Sequence, residues 1–196
     1  MAQKLLVTGF EPFGRETVNP SWEAVRLLPD RLGHTDIIKL LVPTVFGLAT
    51  EVVLARAEAI GPDAILCVGQ AGGRAAVTPE VIGINLREAS IPDNAGQQPV
   101  NEPIACDGPA AYFATLPVRD MVQAVRAQGL PCALSYSAGA FVCNDLLYGL
   151  LRHYDGTPVR VGFVHVPFLP EQARQGVPSL PLEEIVRGLT AAIEAL

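Results

Sequence analysis

Cys143 is the residue in this sequence with the clearest setting for covalent chemistry. It lies in SYSAGAFVCND (135–145), where an apolar run interrupted by small residues passes into a helical pattern. The preceding segment CALSYS is predicted to be a strand and FVCNDLLYGLLRHY (141–154) a helix, so the thiol falls in the first turn of a helix at the carboxyl edge of a sheet. Unpaired N–H groups and the positive end of the helix dipole favour a thiolate there. We therefore expect Cys143 to be a nucleophile with a lowered pKa.

The other three cysteines carry no comparable signal. No pair has CxxC spacing, so neither a zinc site nor a redox pair is indicated. Cys67 in AILCVG and Cys132 at the start of CALSYS are typical of small buried apolar residues, which is also the alternative interpretation of Cys143. Cys106 lies in an irregular segment without an apparent activating group.

A nucleophilic cysteine needs a base within hydrogen-bonding reach, and the sequence has three histidines. His153 is on the same predicted helix at a distance of about 15 Å, which is too far. His34 lies in a polar turn, where a solvated side chain is expected. His165 is the one polar residue near the end of the apolar strand VRVGFVHVP, and a right-handed crossover places it at the same sheet edge as Cys143. His165 is therefore the candidate base, with a packed core histidine as the alternative.

The third member of such a site is an acceptor that orients the imidazole ring. Glu80 is the candidate, because VTPEVIGIN surrounds a single acid with apolar residues, where an unpaired carboxylate is costly. Asp93 in IPDNAG and Asp145 beside the cysteine compete with it. The first is also explained by loop chemistry and the second by proximity to a helix N-terminus. The residues alone thus support a Cys-His-acid hydrolase without selecting one acid.

Alternating strand and helix patterns predict the framework that positions these groups. Asn19 and Ser179 are predicted helix caps, residues 77–88 a further strand, and residues 89–109 a loop near the site. The alternation indicates crossover units and a mostly parallel sheet covered on both faces. We predict one α/β/α domain over residues 1–196, a three-layer sandwich around a twisted, mostly parallel (mixed) sheet. The predicted strands cover 4–10, 36–43, 64–69, 132–137 and 159–167, and the predicted helices 20–28, 45–60, 118–129, 141–154 and 180–196.

The composition and net charge of the chain argue against nucleic acid and membranes as partners. The chain has 196 residues, 49% of them hydrophobic, and a formal net charge of −6, which argues against a surface for nucleic acid. No apolar run approaches the roughly 20 residues that span a bilayer. The N-terminus resembles a strand and not a signal peptide, so a cytoplasmic protein without membrane contact is expected.

Six motifs in fixed order carry a resemblance to a known family. GFEPFG with NPSW, GQAGGR, TPEVIGIN, IPDNAGQQP, SAGAFVCND and GFVHVPFLPEQ together resemble the pyroglutamyl-peptidase I family, from Thr8 to Gln172. The resemblance implies a cysteine exopeptidase that removes N-terminal pyroglutamate from peptides, with no cofactor or metal and with assembly as a homo-oligomer, a dimer or tetramer. It also implies a catalytic triad at Glu80, Cys143 and His165.

The resemblance further implies how the substrate is held. Its ring pocket corresponds to Phe10, Phe13, Phe141 and Val142, with Gln70 helping to recognise the amide. Family members commonly carry an arginine where this chain has Ser90, so the second oxyanion donor is left open. Arg87, three residues earlier, is a possible substitute, although a strand would need unusual geometry to allow it.

Two other functions fit the same residues. A different thiol hydrolase or acyltransferase would use the same Cys-His-acid set on another substrate. A catalytically silent small-molecule binding domain of this fold would carry Cys143 as a structural residue.

Overall fold

A mixed sheet forms the centre of the protein. The computed structural model describes residues 3–174 and 176–196. The strands are β1 Gln3–Phe10, β2 Arg31–Leu32, β3 Thr35–Val42, β4 Ala64–Gln70, β5 Thr78–Pro79, β6 Ile82–Ile84, β7 Ala111–Phe113 and β8 Arg160–Val166. The helices are α1 Pro20–Val25, α2 Leu48–Ile60, α3 Val118–Ala127, α4 Val142–His153 and α5 Leu182–Glu194.

The strand order is β2-β3-β1-β4-β8-β5, and β6 and β7 form a separate two-stranded sheet. The four central strands are parallel, whereas β2 and β5 pair antiparallel at the two edges. The carboxyl ends of β1, β4 and β8 therefore meet along one edge of the sheet. In the register of β4 and β8, Gly69 is opposite His165 and Gln70 is opposite Val166.

Helices cover both faces of the sheet, as alternating side chains of buried strands require. One apolar cluster joins α1, α3 and α5 to residues such as Leu66 and Val164. The other joins α2 and α4 to neighbours of opposite parity such as Ile65 and Phe163. These two clusters confirm the predicted three-layer α/β/α arrangement.

Local sequence signals account for several boundaries. The side chain of Asn19 accepts a hydrogen bond from the Ser21 N–H, and Pro20 occupies the first turn of α1, as predicted.

None of the helices within the described ranges is long and apolar enough to cross a membrane.

Two predicted strands are broken in the structure. Residues 77–88 divide into β5 and β6, which belong to different sheets. Residues 132–137 run beside residues 77–81 and form only isolated bridges, from Cys132 and Ser135. Pro79 contributes to this break because it has no N–H to donate to a ladder.

The predicted start of the last helix is also wrong. Its N-cap is Pro181, without a side-chain cap, and Ser179 instead forms a bridge with Phe168. A proline at this point sets the chain into an extended conformation before α5. The serine is therefore used by the preceding irregular segment and not by the helix.

Candidate active site

Cys143 is the second residue of α4, as the sequence predicted. Phe141 is the N-cap and has no side-chain oxygen to bond to the first-turn N–H groups. Cys143 as a whole residue is half-buried, and it lines a cavity at the carboxyl edge of the sheet. No regular strand precedes α4, because residues 132–137 form only isolated bridges with residues 77–81.

Gly69 provides the space in which the thiol lies. A Cβ atom at Gly69 would be 2.9 Å from Sγ of Cys143 and 2.7 Å from Cζ of Phe163. Gly69 pairs with His165 in the register of β4 and β8, so these two positions face the same side of the sheet. The absence of a side chain at Gly69 therefore allows the sulfur to approach the strand that carries His165.

His165 and Glu80 form a buried pair beside the thiol. Nδ1 of His165 is 2.7 Å from Oε1 of Glu80, and both side chains are almost completely buried. Burial opposes ionisation of Glu80, but its interactions with His165 and then Arg74 outweigh burial and hold the pKa of Glu80 below its ordinary value. Burial outweighs the opposing effect of Glu80 and lowers the pKa of His165. The pair is thus a carboxylate beside a neutral imidazole.

Arg74 completes this cluster and was not predicted from the sequence. Its guanidinium donates to the same Oε1 of Glu80 at 2.7 Å and to the carbonyl oxygen of Ser137 at 3.0 Å. The sequence signal was the last residue of GQAGGR, but only the folded turn shows which acid it reaches. Arg74 ties the loop after β4, the acid and the segment before α4 into one structure.

The expectation of a lowered thiol pKa is wrong for this state of the protein. Burial raises the pKa of Cys143 to about 12, and the charge of Glu80 and the neighbouring Cys67 add to the rise. The charge of Arg74 and the backbone N–H of Cys143 act in the opposite direction but are smaller. Desolvation therefore outweighs the effects of Arg74 and of the Cys143 N–H, and the resting sulfur is a thiol.

Aromatic side chains form one wall of the cavity, whose volume is about 670 Å³. The rings of Phe13 and Phe141 are 5.8 Å apart, and Phe46 packs edge-on against Phe141 at 5.2 Å. Phe10 lies deeper, buried at the end of β1. The cavity thus has an apolar aromatic wall, and Cys143 lines the same cavity.

Polar groups line the remaining parts of the cavity. Asn19, Thr44 and Gln70 lie at the ends or starts of regular elements, and Ser90 and Ile91 come from the predicted loop. Thr44 and Ile91 had no predicted role, and Asn19 was predicted only as a cap.

Val142 lies in a different environment from the other predicted pocket residues. Phe10, Phe13, Gln70 and Phe141 line the cavity. Val142 is fully buried in the core between α4 and the sheet. It supports the base of the site from the core.

The competing acids and the alternative donor have other partners. Asp145 is buried and binds the Arg87 guanidinium at 2.6 Å and the Gly47 N–H at 2.8 Å. Asp93 accepts N–H groups of its own loop and that of Phe46. Because the Arg87 guanidinium binds Asp145, we do not assign Arg87 as the second oxyanion donor.

The remaining cysteines and histidines lie outside the cavity. Cys67 and Cys132 are buried, and Cys106 is exposed. Burial raises the pKa of Cys67 to about 12 and that of Cys132 to about 11. His34 and His153 are both exposed.

Comparisons with known proteins identify the family of the chain. The sequence matches the profile of the pyroglutamyl peptidase family over residues 3–196. A pyrrolidone-carboxylate peptidase of Levilactobacillus brevis is 53% identical, covering 98% of this chain and 97% of the relative. The crystal structure of pyroglutamyl peptidase I from Bacillus amyloliquefaciens superposes with a TM-score of 0.96 at 48% identity, covering 100% and 95% of the two chains. A mutant pyrrolidone carboxyl peptidase from Pyrococcus furiosus gives a TM-score of 0.93 at 39% identity, covering 98% and 97%. The chain belongs to the pyroglutamyl peptidase family.

Proposed function

We propose that this protein is a cysteine exopeptidase that hydrolyses the bond after an N-terminal pyroglutamyl residue of peptides and proteins. Cys143 is the nucleophile, His165 the general base and acid, and Glu80 the residue that orients His165. Phe10, Phe13, Phe141 and Gln70 contact the substrate ring, and Val142 supports them from below. The proposed chemistry uses these side chains and requires no metal or cofactor.

One observation carries the proposal. The thiol of Cys143, the His165–Glu80 pair and an aromatic-lined cavity lie together at the carboxyl edge of the sheet. A nucleophile, a base and an orienting acid in this order are the parts of acyl transfer by a cysteine hydrolase.

The protonation states favour a concerted first step. Because the carboxylate of Glu80 faces Nδ1 of His165, that nitrogen carries the proton and Nε2 is the free acceptor. Nε2 removes the proton from the Cys143 thiol as the sulfur attacks the pyroglutamyl carbonyl carbon. The proton then passes to the leaving amine when the C–N bond breaks, and a pyroglutamyl thioester remains.

Water completes the cycle. His165 removes a proton from a water molecule, whose oxygen attacks the thioester carbonyl carbon. The C–S bond breaks, free pyroglutamate leaves, and the sulfur recovers its proton from His165. Negative charge develops on the carbonyl oxygen in both steps, and the Cys143 N–H at the start of α4 is the first donor to it.

The shape of the cavity suits a closed lactam. Pyroglutamate has no α-ammonium group, so recognition depends on apolar contact with the flat ring and hydrogen bonds to the lactam N–H and C=O. The rings of Phe13 and Phe141 provide the apolar contact. Gln70, Asn19 and Thr44 supply the polar groups.

Turnover by the purified protein tests this function. We expect release of aminomethylcoumarin from its pyroglutamyl amide, and no release from prolyl or glutamyl amides. Cleavage of only the latter two would assign another thiol hydrolase. No cleavage together with equally slow iodoacetamide labelling of Cys143 and Cys67 would assign a catalytically silent binding domain.

Membership of the family supports three further proposals. We infer that residues 1–196 form a single catalytic domain, that the protein acts in the cytoplasm, and that it assembles as a dimer or tetramer. Limited proteolysis, cell fractionation and light scattering test these in turn.

A further inference from the structure

Gln172 does not line the cavity, but its side chain contacts Gln70, which does. Its amide nitrogen is 3.1 Å from Oε1 of Gln70, 3.2 Å from the carbonyl oxygen of Val18 and 3.0 Å from a carboxylate oxygen of Glu16. Its amide oxygen accepts the N–H of Leu169 at 3.1 Å. Gln172 therefore joins the loop after β1 to the end of β4.

The backbone partners fix the orientation of both amides. The Val18 carbonyl can only accept and the Leu169 N–H can only donate, so the nitrogen of Gln172 must face the first and its oxygen the second. The atom of Gln70 that meets this nitrogen must then be an acceptor, its oxygen. The nitrogen of Gln70 is left without a partner among residues 3–174 and 176–196.

We propose that Gln172 is a positioning residue that makes Gln70 a hydrogen-bond donor toward the substrate, so that the site selects ligands with a ring carbonyl at this point. The inference rests on the proposed function. A lactam carries one acceptor, the C=O, and one donor, the N–H. Gln70 held in this orientation pairs with the C=O, whereas a reversed Gln70 would place two oxygens against each other.

The acid Glu16 strengthens this selection. Its carboxylate can accept from Gln172 but cannot donate, so a reversed Gln172 would lose both Val18 and Glu16. Three acceptors thus share the two N–H groups of one amide nitrogen, and reversal of Gln172 is strongly opposed.

The variant Gln70→Glu tests the direction of the hydrogen bond without changing Gln172. The new carboxylate still accepts from Gln172 but has no N–H for the lactam carbonyl. We expect KM for the pyroglutamyl coumarin amide to rise by about 10- to 100-fold with kcat within about threefold, because the carbonyl loses its partner. Unchanged or tighter binding would show that Gln70 presents an acceptor, and would overturn the proposal.

The variant Gln172→Glu tests the positioning itself. The introduced carboxylate accepts from the Gln70 amide and turns the Gln70 oxygen toward the cavity, so KM is expected to rise in the same range, about 10- to 100-fold. The double variant Glu16→Gln with Gln172→Glu conserves the net charge and is expected to keep the raised KM. Wild-type KM in either variant, or a fall in kcat without a change in KM, would contradict a positioning role.

A binding measurement separates this inference from the proposed function. L-pyroglutamate should protect Cys143 of the wild-type protein from iodoacetamide, and less well in Gln70→Glu and Gln172→Glu. If the wild type hydrolyses no pyroglutamyl amide but shows this pattern, only the function fails. If the lactam does not protect the wild type, or protects all three proteins equally, the inference is overturned.

Discussion

Two buried carboxylates of this protein each bind an arginine, but only one of them has an environment suited to catalysis. Glu80 and Asp145 are both almost fully buried, with ion pairs of 2.7 Å to Arg74 and 2.6 Å to Arg87. Both oxygens of Asp145 are bonded, to Arg87 and to the Gly47 N–H. Glu80 uses a single oxygen, Oε1, for Arg74 and His165, and its Oε2 has no partner among the described residues.

The partners of the two acids therefore indicate a structural role for Asp145 and a catalytic role for Glu80. Asp145 joins α4 to the start of α2 through the Gly47 N–H, and its other oxygen binds the Arg87 guanidinium. Glu80 contacts the imidazole of His165, whose charge changes in the proposed acyl transfer. An ion pair alone therefore does not identify a catalytic carboxylate, whereas contact with a titratable partner in a cavity does.

The largest expected effect is on turnover by Glu80→Gln. The amide keeps the shape of the side chain but loses the charge that supports the imidazolium and selects the Nδ1–H tautomer. We expect kcat to fall by about 10³- to 10⁴-fold, as when the acid of a comparable triad is neutralised. Steady-state kinetics measures this, with circular dichroism as the control for folding. Full turnover would remove Glu80 from the catalytic set.

The matched variant Asp145→Asn should affect stability and not chemistry. It leaves the guanidinium of Arg87 without its buried counter-charge and places an amide NH2 against a donor, which costs about 3 kcal/mol of unfolding free energy. Urea denaturation measures the loss, and kcat of the folded fraction is expected to stay within about threefold. A loss of turnover as large as that of Glu80→Gln would mean that the two acids do not differ in function.

Replacing each arginine by methionine tests the same difference between Glu80 and Asp145. The charge of Arg74 contributes to the lowered pKa of His165, so Arg74→Met should raise that pKa and move the acid limb of kcat/KM to higher pH. Arg87→Met should leave the limb in place. A pH profile of both variants measures this, and equal profiles would exclude an electrostatic role of Arg74.

The smallest effect concerns stability in acid. The pKa values of Glu80 and His165 in the folded protein are both below their ordinary values, so the unfolded chain binds more protons as the pH falls. The stabilisation is complete above about pH 6.5 and is lost on acidification, first through His165 and then through Glu80. Calorimetry should show a falling Tm, with a weaker fall in His165→Asn. Identical slopes would contradict a neutral buried imidazole.

Periodicity and edge position were enough to predict the four central strands of the sheet and the common edge at which Cys143 and His165 line one cavity. Apolar runs of strand length alternate with helical patterns, and parallel strands must end at a common edge. These features depend on local sequence and chain direction. The three-layer fold therefore followed from the sequence.

The missing parts depend on contacts that are remote in sequence. Arg74 reaches Glu80 only after the turn beyond β4 has formed, and Gln172 reaches Gln70 across 102 positions. The raised pKa of Cys143 arises from burial by the assembled core, which no local pattern shows. The segment 132–137 has the composition of a strand but lies beside the interrupted residues 77–81, so it cannot form a continuous ladder.

The identity of the acylated residue tests the mechanism most directly. The purified protein is mixed with a pyroglutamyl coumarin amide, quenched in acid within one turnover, and digested for peptide mass mapping. The mechanism predicts a pyroglutamyl group on Cys143, which hydroxylamine removes and which is absent from Cys143→Ser. Rapid turnover with the acyl group on another residue, or with no acylated enzyme at any quench time, would contradict it.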